Sequence, residues 1–196
     1  MSAPYAVPPP MAAELKKAYS EPHRAYHNTA HITEVLRWFD KVAADVGWLR
    51  PAEVYTAVLF HDAVYVPGST DNELQSAEWA RNAIAHYRLP ASPDYVAQLI
   101  ELTASHGKLD HANGDAALFL DADMAILGTH LLAYREYSDQ IRLEYSRVPA
   151  DAYRAGRRAF IEGIQRRKRI YFTDYFHELL DAPARANLAD ELGALR

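Results

Sequence analysis

An apolar helical run ends at two adjacent side chains that can both bind a metal ion, His61 and Asp62. Upstream, Val54, Ala57 and Val58 share the spacing of a buried stripe with His61, so we expect its imidazole to point inward. A buried imidazole needs a partner for each nitrogen, and a buried carboxylate needs a cation or several donors. A divalent ion would satisfy both. The alternative is a core histidine hydrogen-bonded to Asp62 alone.

Composition limits which side chains could hold such an ion. The 196 residues contain no Cys and 9 His, so any metal must be bound by imidazoles and carboxylates rather than thiolates. A formal charge of -5 argues against general nucleic-acid or anionic-membrane binding, and no run is long enough for a membrane span. The length suits one domain, residues 1–196, and the absence of a signal-peptide core predicts a cytoplasmic protein.

Further candidate ligands lie on two other predicted helices. Asn28 can cap a helix with a clean apolar period, which leaves His27 just outside it and His31 in its first turn, within reach of a buried ion. A later apolar run contains Asp121 and Asp123, which are costly to bury without a cation. Asp123 shares its face with the longer apolar stripe and is the preferred ligand, with Asp121 as the alternative.

Two residues have a structural and a functional interpretation. Thr70 and Glu73 match a capping box at a helix start, but Glu73 could equally act at a catalytic site. His106 continues the inward face of its helix. It is either a core or capping residue, or a functional one that binds the metal or donates a hydrogen bond to a phosphate group.

The C-terminal third is predicted to be helical and is rich in arginine and tyrosine. Guanidinium groups suit phosphate oxygens, which makes Arg142 and Arg158 candidates for substrate binding, although a solvated basic face is the alternative. A tyrosine stripe that includes Tyr137 and Tyr145 indicates either core packing or an interface such as a homodimer face. Strand-like alternation, tandem repeats and a glycine-rich phosphate loop are all absent from the sequence. The predicted fold is all-α.

Two segments in this order resemble the HD-domain superfamily of metal-dependent phosphohydrolases. Its metal-binding pattern, His…His-Asp…Asp, is present here on separate predicted helices. The segment Tyr-His-Asn-Thr-Ala-His at 26–31 is similar to one in the cyclic nucleotide phosphodiesterases, and so is Phe-His-Asp with the following Pro-Gly at 60–68. The whole chain is more similar to small bacterial HD phosphohydrolases of unestablished substrate. The resemblance covers about 20–128 well and implies an HD-like helical bundle with a C-terminal helical extension at about 129–196.

The resemblance implies a role for each candidate. The metal ligands would be His31, His61, Asp62 and the last aspartate, with Asp62 able to bridge to a second ion. His27 would protonate the leaving oxygen. Apart from the resemblance, our own hypothesis is that Glu73 or Asp71 orients the attacking water. The ion would be Zn, Mn, Fe, Co, Ni or Mg, in one or two copies.

The chain departs from the phosphodiesterases at one informative position. They have a second histidine three residues after the His-Asp pair, where this chain has Tyr65, and their nucleotide-clamping C-terminal region has no match. Cyclic nucleotides are therefore not expected. The predicted activity is hydrolysis of a phosphoester or pyrophosphate bond in a nucleotide-like small molecule. The alternatives are a di-iron oxygenase, with His106 or His111 as extra ligand, and a non-catalytic metal-containing binding module.

Overall fold

The structure is a computed structural model that describes residues 5–106, 109 and 112–195, and over these residues it is helical with no strand. The predicted all-α class is confirmed. The α-helices, in chain order, are α1 Pro9–Ala18, α2 Thr29–Asp45, α3 Pro51–Phe60, α4 Asn72–Tyr87, α5 Pro93–Thr103, α6 Gly114–Asp123, α7 Leu131–Glu144, α8 Ala150–Gln165 and α9 Asp174–Ala194. A 3₁₀-helix, Met124–Gly128, continues directly from α6.

The helices that carry the first two motifs, α2 and α3, pack against each other. Asn28 caps α2, as predicted, because its side chain accepts a hydrogen bond from the Ala30 amide. Helix α3 begins at Pro51, whose fixed φ suits a first helical position, and it ends at Phe60. His61 is the residue that follows α3, and Asp62 lies in the turn beyond it. The His-Asp pair therefore lies at a helix end, where two adjacent side chains can converge.

The start of α4 differs from the predicted capping box. The residue before the helix is Asp71 rather than Thr70, and its side chain makes no capping bond to the helix. Asp71 instead accepts hydrogen bonds from Ser69 and, at 2.6 Å, from Gln75. Glu73 lies in the first turn, where a carboxylate interacts favourably with the exposed amides.

The C-terminal helices complete the apolar core rather than standing apart from it. One cluster of buried side chains extends from Met11 in α1 to Leu188 in α9. Helix α9 packs closely on the 3₁₀-helix at Gly128, where a Cβ atom would lie 2.6 Å from the Cβ of Leu180. This close approach fixes the end of α6, and with it the position of Asp123.

None of the described helices, taken singly, is long and apolar enough to cross a membrane. Two consecutive helical segments, Gly114–Gly128 and Leu131–Glu144, together have the length and composition of a membrane span, but they are bent by 102° relative to each other.

Candidate metal centre

Three predicted ligands from three helical segments meet at one point. The Nε2 atoms of His31 and His61 are 3.1 Å apart, and Oδ1 of Asp123 lies 3.1 Å from the first and 3.3 Å from the second. Nitrogen and oxygen ligands bind Zn²⁺-like ions at about 2.0–2.2 Å, which separates neighbouring ligand atoms by roughly 2.9–3.5 Å. The triangle has this size, so the group could hold a metal ion.

Asp62 joins the same group. Its Oδ2 lies 3.1 Å from Nε2 of His61 and 3.4 Å from Nε2 of His31. The four side chains are predominantly buried, and both imidazoles are almost completely so, with 5% of His31 and 1% of His61 exposed. The donor set is two imidazoles and two carboxylates, which suits a divalent transition metal.

The hydrogen bond on the far side of His61 tests whether this group fits an ion. Nδ1 of His61 lies 3.0 Å from the carbonyl oxygen of Val58. A carbonyl can only accept, so Nδ1 carries a proton, and Nε2 is the ring nitrogen that faces the Asp62 and Asp123 oxygens. In this tautomer Nε2 can offer its lone pair to a cation that lies between the imidazole and the carboxylates. Metal-binding histidines typically have this second hydrogen bond, so the residues fit the ion.

The imidazoles and carboxylates of the group shift one another's pKa values in the direction that favours their charged forms. Burial alone would lower the pKa of His31 and His61, but Asp62 and Asp123 raise both above the ordinary value. Burial would raise the pKa of the two carboxyls, yet His61 and its neighbours hold both well below their usual range. At neutral pH both carboxylates are therefore ionised and available to a cation.

Asp121 does not belong to this group. The geometry therefore agrees with Asp123 as the preferred metal ligand and does not agree with Asp121, the alternative ligand. Both oxygens of Asp121 point to the chain before α9, where they accept hydrogen bonds from the Phe172 amide and from the amide and hydroxyl of Thr173, at 2.7–2.8 Å. Burial raises the pKa of Asp121 to about 6, although these donors favour its charged form. Its role in the structure is to hold the start of α9.

His106 contacts the metal group through Asp123, so its Nε2 atom is already paired and is not free to bind phosphate. Its Nε2 lies 2.7 Å from Oδ2 of Asp123, the oxygen that does not face His31. A partner of this kind orients a ligating carboxylate. His111, the other candidate for an extra ligand, lies outside the described residues.

Beside the metal group, His27 pairs with a carboxylate that sequence reasoning missed. Oε2 of Glu144, at the end of α7, lies 2.6 Å from Nδ1 of His27 and accepts a hydrogen bond from Tyr65 at 2.8 Å. The other oxygen accepts from the Tyr26 and His27 amides, at 2.7 and 2.9 Å. Burial would raise the pKa of Glu144, but the bonds to His27 and these amides lower it. The carboxylate is thus ionised and fixes the imidazole.

Arg24 is a second residue that sequence reasoning did not assign. Its buried guanidinium donates hydrogen bonds to the carbonyls of His27, Asp62 and Ala63, at 2.6–3.0 Å. The segment before α2 and the turn after α3 are therefore held together by one side chain. Arginine supplies five donors in a rigid fork, which explains how it satisfies three carbonyls at once.

The predicted substrate-binding arginines lie elsewhere. Arg142 donates to the Tyr145 carbonyl and lies over the Tyr153 ring, while Arg158 donates to the carbonyl of Leu195. Neither lines the cavity beside the metal group, and this prediction does not agree with the geometry. Arg157 does line it, but its guanidinium makes a two-pronged ion pair with Glu191, at 2.8 and 3.0 Å. The sequence offered no signal that separated Arg157 from its neighbour.

A single cavity of about 520 Å³ connects these features. At one end its wall contains His27, His31, Asp62, His106 and Asp123, together with Glu73. Asp71 is not part of the wall. At the other end, α7 and α8 contribute apolar and aromatic side chains. The volume lies within the range of small-molecule sites, which is about 300–1,000 Å³.

No family model, curated protein or solved structure matches the chain.

Proposed function

We propose that this chain is a metal-dependent phosphohydrolase of the HD type, which hydrolyses a phosphoester or pyrophosphate bond of a nucleotide-like small molecule. One observation carries the proposal. His31, Asp62 and Asp123 of the metal group line the same cavity as His27, which Glu144 orients, so a group able to hold a metal and an oriented imidazole would face one bound molecule.

The ion would be divalent, with Zn, Mn, Fe, Co, Ni and Mg as candidates, and His31, His61, Asp62 and Asp123 would hold it. When bound, it would lower the pKa of a coordinated water and polarise a phosphoryl oxygen.

The residues of the chain supply the proton transfer. Because Nδ1 of His27 is bound to Glu144, Nε2 is the ring nitrogen available to the substrate. As the water oxygen bonds to phosphorus, the P–O bond to the leaving group breaks and a proton passes from Nε2 to the leaving oxygen. The proton that the water releases then returns the imidazole to its protonated form. Glu144 stabilises the protonated ring before this transfer, and Glu73 lies in the cavity wall where it could orient the water.

Metal content and phosphate release test the proposal together. The purified protein is analysed for bound metal and then incubated with phosphate esters in the presence of Mn, Co, Ni, Zn or Mg. We expect stoichiometric metal and metal-dependent phosphate release, both lost in Asp62→Ala and both kept in Asp139→Ala, which removes an exposed carboxylate from α7. Full metal content and activity in Asp62→Ala would refute the assignment.

The same samples distinguish the two alternatives. A di-iron oxygenase would purify with iron and consume oxygen, and a binding module would retain metal without turnover of any ester. Either result would contradict the proposed hydrolase.

A further inference from the structure

The cavity beside the metal group has two chemically different ends. The far end is formed by one stripe from each of two helices. Helix α7 and the segment after it contribute Ile141, Tyr145 and Val148, while α8 contributes Tyr153 and Phe160. These side chains are apolar or aromatic. A molecule with its phosphate at the metal group would place its remaining part against this wall.

A continuous series of ring contacts connects the two ends. The Tyr26 ring lies 4.8 Å from the His31 ring and 4.7 Å from the Tyr137 ring. The Arg157 guanidinium then lies 5.2 Å from the Tyr137 ring and 5.2 Å from Phe160. The apolar end is therefore part of the same site and can be reached by a single small molecule.

The charges of the cavity do not suit a chain of phosphates. Among the described residues of its wall the one guanidinium or ammonium group is that of Arg157, and Glu191 already neutralises it through two hydrogen bonds at 2.8 and 3.0 Å. Asp62, Asp123 and Glu73 add negative charge to the wall. A triphosphate needs several cationic partners, which this wall does not supply, whereas a single phosphoryl group needs only the metal end.

We propose that the substrate is a phosphate monoester of an apolar, ring-bearing alcohol, whose ring lies between α7 and α8. This inference rests on the proposed metal-dependent phosphohydrolase, and it replaces the nucleotide-like substrate of that proposal with a more apolar monoester. The polar groups of the wall are concentrated at the metal end, and those of the far end are tyrosine hydroxyls and the Arg157 guanidinium, which is already paired with Glu191. Burial of apolar surface there would therefore provide most of the discrimination between substrates.

Gly156 offers a way to close this end without disturbing the core. It lies in α8 on the cavity wall, and a Cβ atom at this position would meet no other atom within 4 Å. Leucine at position 156 would thus extend into the space assigned to the ring. Gly193 in α9 is a matched control, because it is equally unobstructed and does not line the cavity.

The experiment compares esters with similar alkoxide leaving groups. The probes are ethyl phosphate, 2-phenylethyl phosphate, a nucleoside 5′-monophosphate and a nucleoside triphosphate, each with the metal that supports release. We expect kcat/KM for 2-phenylethyl phosphate to exceed that for ethyl phosphate by tenfold or more, and to exceed both nucleotides. Gly156→Leu should reduce the ratio of the two alkyl esters about tenfold with unchanged metal content, and Gly193→Leu should preserve the ratio.

The outcomes separate this inference from the function on which it rests. Equal kcat/KM for the two alkyl esters, preference for either nucleotide, or an unchanged ratio in Gly156→Leu would overturn the apolar substrate while leaving a phosphohydrolase in place. The absence of metal-dependent release from any probe would overturn both.

Discussion

Nδ1 of His27 lies 2.6 Å from Oε2 of Glu144, although the two residues are 117 positions apart in the sequence. The Tyr65 ring stacks on the His27 ring at 4.1 Å, and its hydroxyl donates to the same Glu144 oxygen. The His27 imidazole is thus held in place by the Glu144 carboxylate and by stacking on the Tyr65 ring. The Tyr65 side chain thus supports the proposed proton donor.

Glu144→Gln should lower kcat about 100-fold for an alkyl phosphate, since general acid catalysis typically contributes 10²–10⁴-fold. A glutamine of the same size cannot stabilise the protonated imidazole. The defect should be smaller for p-nitrophenyl phosphate, because its leaving group needs little protonation. Metal content should not change, and Glu178→Gln, which alters an exposed residue of α9, serves as the control. Equal defects on both esters would contradict a role in proton donation.

Asp123→Asn and Asp121→Asn should affect different properties, metal binding and stability, although the residues are two positions apart. The first removes a charged ligand atom and should abolish stoichiometric metal. The second should keep the metal but lower the free energy of unfolding by about 1–3 kcal/mol, because an amide group would face the Phe172 and Thr173 donors. Elemental analysis and urea unfolding measure the two quantities. Loss of metal from Asp121→Asn alone would reverse our assignment.

His106→Ala should weaken metal binding about 10- to 100-fold, since His106 orients Asp123 through a 2.7 Å hydrogen bond. Titration against a chelator of known affinity measures the change. His86→Ala, at an exposed position of α4, should have no effect. If His106 bound phosphate directly, KM would rise while the metal affinity stayed the same.

Arg157→Met should lower the free energy of unfolding by about 3–5 kcal/mol, because Glu191 would be left buried without its partner. Arg158→Met should cost less than about 1 kcal/mol, since within the described part of the chain that side chain makes one hydrogen bond, to the Leu195 carbonyl. Urea unfolding gives both values. A double variant, Arg157→Met with Glu191→Leu, should recover part of the loss, and a double variant less stable than Arg157→Met would argue against the buried pair as the cause.

Alanine should have opposite effects on stability at two glycines. Gly128→Ala should cost about 1–3 kcal/mol, because the new Cβ would lie 2.6 Å from the Cβ of Leu180 and 2.7 Å from its carbonyl oxygen. Gly156→Ala should add up to about 1 kcal/mol, since alanine is the better helix former and meets no obstruction. Thermal or urea unfolding compares the two. A stabilised Gly128→Ala would show that α9 does not pack as described.

The all-α class and the inward position of most metal candidates could be predicted from the sequence. His61 follows a buried helical stripe, Asn28 caps α2, and Asp123 lies on the longer apolar face, so local periodicity and capping were enough. The site itself was brought together by tertiary packing. Its three segments approach one another because α2, α3 and α6 bury their apolar faces in one core. The apolar periodicity of the sequence gives no distances between these helices.

Other features depended on tertiary structure alone. The roles of Glu144 and Arg24 could not be predicted from the sequence, because their partners are distant carbonyls, amides and an imidazole. Arg142 and Arg158 were chosen for their chemistry, but only the rotation of α7 and α8 determines which arginine faces the cavity, and it is Arg157. The sequence by itself determined which residues could bind a metal and transfer a proton. The packing of the helices decided which of them meet, because the contacts join residues far apart in the chain.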